Sequence, residues 1–430
     1  MTTKTWTIAL CLLVVPLPAS AQVSLTVTAP TGTTGTRYGQ YVERVMAESP
    51  TLAQALAEVR SAEAAIDVAR VLPSPRLSGG VASVDVSGHN APNATQLVLT
   101  VPIDYAGQTG RRVDARAAEQ EAVMASAEAV RRQLGQQAAE RFVDALEAEL
   151  ALARATEAAA ADDALLAAIE HRLSVGEATA LEVGLARLAA AQGHARRAEA
   201  EGRARTTRIA LSTLLGEADG TLVPVGDLGV PPQQFDAASL VEDALAHRPE
   251  IRAAQMREAA AGRTRELASA ARWPELDVQV GWYHSFSALE PGSIFNQPEY
   301  DALILGATIE IPIRLAWDGD LRSADAAIEH ASAALRAEEL VVELEVREAL
   351  AQYEAARDQL AARETALAEA TALRRAAAEA LTRGASTVVE QLAANAAARE
   401  AEAAYLTAAA SHARALAVLL ARVGREAPAF

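Results

Sequence analysis

Apolar side chains recur along this chain with two periods, and the switches between them are sharp. From Leu321 to Arg383 there is neither Gly nor Pro, and Ala, Leu, Glu and Arg fill most of the stretch. All four are strong helix formers. Val342, Val346, Ala349, Tyr353, Ala356 and Leu360 follow one another in steps of four and three, the spacing of a coiled-coil seam. As one helix the stretch would be roughly 95 Å long, where an average globular helix has only about 11–12 residues. A second rod runs from Arg111 to Val175, interrupted by the single glycine Gly135, with Leu134, Ala138, Phe142, Leu146 and Leu150 on its seam.

Ahead of each rod the period drops to two. Leu97, Leu99, Val101 and Ile103 alternate with polar positions over 96–104, and a less regular strand is predicted over 76–86. The turn-rich segment Ser87–Ala94 joins them. Later, Leu276, Val278, Val280 and Trp282 alternate over 276–283, and Leu303, Leu305, Ala307, Ile309, Ile311 and Ile313 over 303–314. Strands of about 9–11 residues with one apolar face suit a transmembrane β-barrel. An amphipathic sheet on a soluble core would show the same alternation, although such sheets seldom adjoin rods this long. Tyr105, Trp273 and Trp317 mark one end of the strands and Trp282 and Tyr283 the other, as in two interfacial girdles.

The two halves repeat each other. Leu173–Glu182 after the first rod matches Leu381–Glu390 after the second, placing Gly176 on Gly384 and Glu182 on Glu390. Val101-Pro102-Ile103 matches Ile311-Pro312-Ile313, and Pro50 matches Pro249. The chain therefore reads as two copies of a unit of about 200 residues. One copy is expected over 37–215 and the other over 237–423, with a linker over 216–236 packed at the middle of the rods and a tail over 424–430. In each copy an entering helix (37–72, 237–272) and a returning helix (178–215, 385–423) are expected to stack end to end along the rod, with Pro50 marking a kink or boundary.

The N-terminus reads as a secretory signal peptide over 1–21, with an apolar run Ile8–Leu17 and Ala19-Ser20-Ala21 at the cleavage site, followed by a flexible leader over 22–36. Cys11 lies inside the signal, so the mature chain offers no disulfide, no cysteine-held metal and no lipidated cysteine. Lys4 is the only lysine; without it the formal charge of −17 becomes −18, which disfavours nucleic acid as a partner. No run of 18 apolar residues follows, so no transmembrane helix is expected. The seven histidines, His89, His171, His194, His247, His284, His330 and His412, show no metal-ligand spacing. No phosphate loop or nucleophile elbow is present. The chain is not read as an enzyme, and no cofactor is expected.

Four strands cannot close a barrel, and an open edge in hydrocarbon leaves backbone groups unpaired at several kcal/mol each. Other copies of the chain must complete it. On the duplicated unit, the Pro-bearing strand ends and the two Gly turns, the sequence resembles the TolC family of outer-membrane efflux channels over nearly all of the mature chain. Ile309–Asp320 leans towards its CzcC/CusC-like heavy-metal branch. The resemblance implies a mainly α fold with a membrane β part: a homotrimer whose twelve strands form a β-barrel and whose helices form an α-barrel. It implies an outer-membrane location with helices in the periplasm, contact with outer-membrane lipid, a periplasmic adaptor, and an RND-type or ABC transporter in the inner membrane. Val175, Gly176, Thr179, Arg383, Gly384 and Ser386 would form the adaptor-docking tip. Asp162 and Asp163, as an acidic ring, and Arg363 and Arg374, as partners of acids on a neighbouring helix, are candidate gate residues; a solvated helix face is the weightier account of the aspartates, and a coiled-coil seam ending near the tip explains the arginines at least as well. The cargo stays open between heavy-metal cations, drugs and, in a type I secretion system, proteins. A periplasmic coiled-coil adaptor without a pore is the alternative from another class.

Overall fold

Proline and glycine punctuate long runs of helix formers, and the helices break where they stand. The computed structural model describes residues 25–27, 35–82, 94–271, 273–285, 299–310, 317–425, 427–428 and 430. The signal peptide, most of the leader, His89 and residues 311–316 lie outside them. Eight helices are described: α1 (Tyr38–Glu48), α2 (Pro50–Arg70), α3 (Gln108–Ser174), α4 (Ala180–Ser212), α5 (Ala237–His247), α6 (Pro249–Ala270), α7 (Trp317–Thr382) and α8 (Val388–Val423). A 3-10 turn, Thr213–Leu215, ends α4. The rods α3 and α7 hold 67 and 66 residues, about 100 Å each. Each entering segment is two helices, so of the two readings of Pro50, kink or boundary, the structure shows a boundary. Pro50 and Pro249 take the first position of α2 and α6, and Ser49 and Arg248 before them are extended, at ψ 124° and 130°. A residue preceding proline is pushed out of the helical region by the ring.

Seven strands are described: β1 (Thr26–Val27), β2 (Thr36–Arg37), β3 (Arg76–Ala82), β4 (Ala94–Ile103), β5 (Pro224–Asp227), β6 (Glu275–Ser285) and β7 (Tyr300–Glu310). Four make an antiparallel sheet in the order β3-β4-β6-β7. The two repeats join through β4 and β6, with Leu99 opposite Val280 and Leu97 opposite Trp282. The three short strands form a second sheet, β1-β5-β2, so parts of the stretch read as a leader pair with the linker.

The helices follow the same lateral order as the strands they connect to. Next to the four-stranded sheet α2 packs on α3, α3 on α6, and α6 on α7. Towards the hairpin turns α4 packs on α3, α3 on α8, and α8 on α7. Thus α2 and α4 share α3, meeting where the Cγ of Pro50 lies 3.1 Å from a Cβ built on Gly216. At the matching joint on the other side, Arg132 of α3 donates to the carbonyl of Ala421 at 2.8 Å and pairs with Glu250.

The core sits at this waist. Leu134, Ala138, Phe142, Leu146 and Leu150 of α3 are buried with Tyr41, Val45, Leu211 and the linker residues Leu222 and Leu228. Val342, Val346, Ala349 and Tyr353 of α7 are buried with Leu240, Ile251, Leu416 and Leu419. Charges inside the waist are matched. Arg248, 3% exposed, reaches Glu345 at 2.7 Å and Glu250 at 3.3 Å, and Arg422 binds Glu345 at 2.7 Å. Helix α8 is long and apolar enough to cross a bilayer, but half of its most apolar stretch is buried within the protein, in keeping with a packed helix.

Candidate functional site

The two hairpin turns are built alike, atom for atom in their backbone bonds. Gly176 stands at φ 80° and Gly384 at φ 72°, a left-handed conformation that costs a residue with a Cβ. The Gly176 and Glu177 amides donate to the carbonyls of Leu173 and Arg172 at 3.0 and 2.8 Å. The Gly384 and Ala385 amides donate to Leu381 and Ala380 at 3.0 and 2.8 Å. This double bond closes each rod as a Schellman motif. The next helix starts at once. Thr179 and Thr387 cap α4 and α8, accepting from the amides of Glu182 and Glu390 at 3.3 Å each. In return Glu182 accepts from the Thr179 amide at 2.7 Å, and Glu390 from the Thr387 amide at 2.9 Å. These are reciprocal capping boxes. Both carboxyls titrate below their ordinary range. For Glu182 the main cause is the Thr179 amide, and for Glu390 the Ser386 hydroxyl at 2.6 Å. The structure brings Val175, Gly176 and Thr179 into one exposed turn and Arg383, Gly384 and Ser386 into the other. Arg383 folds back on Glu379 at 2.8 Å. The Thr-x-x-Glu spacing that builds the caps is readable in the sequence as Thr179–Glu182 and Thr387–Glu390.

Behind the turns Ile169, Val183, Ala186 and Val388 are buried together, joining the two hairpins. The candidate gate residues Asp162, Asp163 and Arg374 have separate partners in the structure. Asp162 is 2% exposed, and Arg399 of α8 grips it with both terminal nitrogens at 2.7 and 2.5 Å. It is thus a tie between α3 and α8 within this chain, whereas Asp163 beside it is exposed. Gly193 lies over it on α4, where a Cβ would stand 2.8 Å from the Asp162 carboxylate. Asp163 is half exposed and meets His194 at 3.0 Å. Arg374 pairs with Glu402 of α8 at 3.1 Å, and Arg363 is exposed. Arg399 was missed in the sequence because its partner lies 237 positions away. A cleft of about 180 Å³ opens beside this tie, between α4 and α8, lined by Leu185, Leu188, Gln192, Leu392 and Asn395.

At the other end, one face of the sheet is apolar and bare. Leu77, Leu303 and Leu305 are 67, 70 and 72% exposed, and Leu97, Leu99, Val280, Trp282 and Ile309 lie on the same face, also exposed. The opposite face is polar, with Arg76 on Asp277 at 3.1 Å and Gln279 on Thr308 at 3.0 Å. Tyr105 donates to the Pro274 carbonyl at 2.7 Å, next to the exposed Trp273. At the far end Trp282 donates to Asp301 at 2.9 Å and Tyr283 lies 6.0 Å from Tyr300. Of Trp317 only the backbone, at the start of α7, is described. Among the described residues, no group of three or more His, Cys, Asp or Glu could hold a metal ion.

The model of the family described as "outer membrane efflux protein" matches residues 41–217 and 240–425. The chain belongs to the outer membrane efflux protein family. Its members are channels, and the sheet of this efflux protein is its outer-membrane part and the helices its periplasmic part. The cobalt-zinc-cadmium resistance protein CzcC of Cupriavidus metallidurans is 25% identical over 278 residues, 64% of this chain. That match takes in 62% of CzcC, so the chain spans less than two thirds of the curated relative it matches. Among solved structures, CusC superposes with a TM-score of 0.72 at 20% identity, covering 95% of this chain and 99% of that one. The Campylobacter jejuni outer-membrane channel CmeC gives 0.73 at 17%, covering 90% and 85%. Vibrio cholerae VceC gives 0.70 at 19%, covering 91% and 97%. The efflux protein thus shares their fold, with long helical hairpins carrying a small sheet.

Proposed function

We propose that this efflux protein is the exit duct of a tripartite pump, passing cargo passively across the periplasm and outer membrane as a homotrimer. One observation carries this reading: strands and helices share one lateral order, β3-β4-β6-β7 beside α2-α3-α6-α7, and among the described residues both orders end in open edges. A slab that is apolar outside, polar inside and open at both sides becomes a closed wall when copies join edge to edge. Two copies would give eight strands, a barrel filled by its own side chains; three give twelve and leave a lumen.

The transport energy then comes from an inner-membrane transporter, reached through a periplasmic adaptor that docks on the turns around Gly176 and Gly384. Their rigid caps present the same backbone shape twice per chain, which suits a repeating partner. Asp163, Arg363 and Arg374 are the gate candidates that remain on accessible helix faces, and the Asp162–Arg399 tie holds the two hairpins together behind the turns. Likeness to CzcC favours divalent heavy-metal cations as cargo. A protein-secretion duct would use the same slab, but nothing in the chain favours it.

The test is metal tolerance in cells lacking the chain. Wild-type protein should restore growth in zinc, cobalt and cadmium, and Gly176→Val with Gly384→Val should not, while still reaching the outer membrane. Unchanged tolerance on deletion would remove the metal cargo. Full rescue by the double variant would remove the docking role of the turns.

A further inference from the structure

His412 is fully buried in α8, and neither ring nitrogen has a hydrogen-bond partner. It heads a stripe that is otherwise apolar, Leu416, Leu419 and Val423, packed on α7 and α5. The Tyr353 ring lies 5.3 Å from it, tilted by 36°. A buried imidazole without a partner is unusual, since almost every buried polar group is satisfied. In this state it must be neutral, because a charged group in such a setting needs a counter-charge.

Among the described residues no counter-charge stands against it. The α7 side of the seam presents the Tyr353 phenol, engaged with both backbone groups of Gln233 at 2.7 and 3.0 Å, and the Arg357 guanidinium, itself a cation. The linker adds Gln233 and Phe235, and α5 adds Leu240 and Ala244, all uncharged. On the other side of α8, Asp144 and Glu147 of α3 are both engaged by Arg414. Burial first, and Arg357 second, hold the His412 imidazole below its ordinary value of 6.5. Below pH 6.5 the unfolded chain therefore takes up a proton that the packed seam excludes. Stability contributed by neutral His412 is complete above pH 6.5 and declines as the pH falls towards the folded value.

We propose that His412 is an acid-sensitive latch on the α7–α8 seam, packed when neutral and releasing the seam when the periplasm acidifies enough to protonate it. The latch lies within one chain, so it stands or falls independently of the trimer, the cargo and the docking turns. It would let the second hairpin loosen from the waist downwards while the sheet stays in place.

The test is the pH dependence of unfolding and of amide exchange in wild type and His412→Phe, purified in detergent. Between pH 7.5 and 5.5 wild type should lose stability relative to the variant, approaching about tenfold in the unfolding constant per pH unit and per chain below 6.5, for as long as the packed seam stays unprotonated. Amides over 405–420 should lose protection in wild type beyond the intrinsic pH effect, and not in the variant. Parallel curves for the two proteins would overturn the proposal. If His412→Phe does not fold, C2-proton exchange of His412 in wild type decides. A midpoint below 6.5 supports the latch, and one at or above 6.5 overturns it.

Discussion

At the waist Phe142, Leu146, Val342 and Leu416 are fully buried and Arg248 is held between two glutamates, whereas on the sheet Leu303 and Leu305 are 70 and 72% exposed. Both regions are rich in aliphatic residues, but they use them in opposite ways. The waist closes on itself inside one chain: two repeats, a linker and a tail meet there, and Phe430 packs 5.0 Å from Tyr38. The sheet has no core of its own. In the proposed duct, hydrocarbon covers its apolar face and neighbouring copies pair with its outer strands β3 and β7. The difference separates what this sequence packs within one chain from what the proposed duct would supply from outside it.

The sharpest way to break the comparison is to damage one region and watch the other. Phe142→Ala removes a fully buried ring and should cost about 3–5 kcal/mol. Thermal melting of the helical signal should fall accordingly, in detergent or lipid alike. An unchanged melting temperature would mean that the waist is not the stabilising core. Arg399→Ala strands the buried Asp162 carboxylate and should cost a similar or slightly smaller amount, about 3–5 kcal/mol for a broken buried pair. Its effect should appear as faster amide exchange in α8 near Arg399, with the sheet unaffected.

On the sheet side, Leu305→Arg places a charge on the bare face. It should cost about 2–4 kcal/mol in the membrane and nothing in the helices. Fractionation should show less protein in the outer membrane, with the helical melting temperature of the detergent-purified protein unchanged. A fall in that melting temperature would show that the face is packed on protein, not lipid. The smallest effect is expected at the turns. Thr387→Ala removes one cap and should cost about 1 kcal/mol, fraying the start of α8 in exchange experiments. Because Glu182 and Glu390 titrate below their ordinary 4.5, the capping boxes are fully formed above that value and fail as the pH falls through the lowered ones. The stability loss from His412 should begin as the pH falls through its ordinary 6.5, and that from the turns only as it falls below 4.5.

Much of this architecture was legible in the sequence. Leu303, Leu305, Ala307 and Ile309 alternate because every second residue lies on the bare apolar face of the sheet, and Val342, Val346, Ala349 and Tyr353 step by four and three because one helix face meets a core. Gly176 and Gly384 repeat because both turns need a left-handed residue. Other features were hidden for physical reasons. Strands of two residues, such as Thr26–Val27, carry no period. Pro50 was seen, but only the extended Ser49 before it shows that the helix ends there. The Asp162–Arg399 tie, the Arg248 pairs and the unpartnered His412 depend on contacts across the fold, and residue type alone does not reveal them.

The central claim is that the sheet is unfinished in one chain and completed by copies. The most direct measurement is the native mass of the protein extracted from outer membranes in mild detergent, after subtraction of bound detergent. The account predicts about three times the mass of the mature chain, stable until heated. A monomer, or a soluble species in the periplasmic fraction, would contradict it, and the alternating strands would then have to be covered by some part of the chain itself.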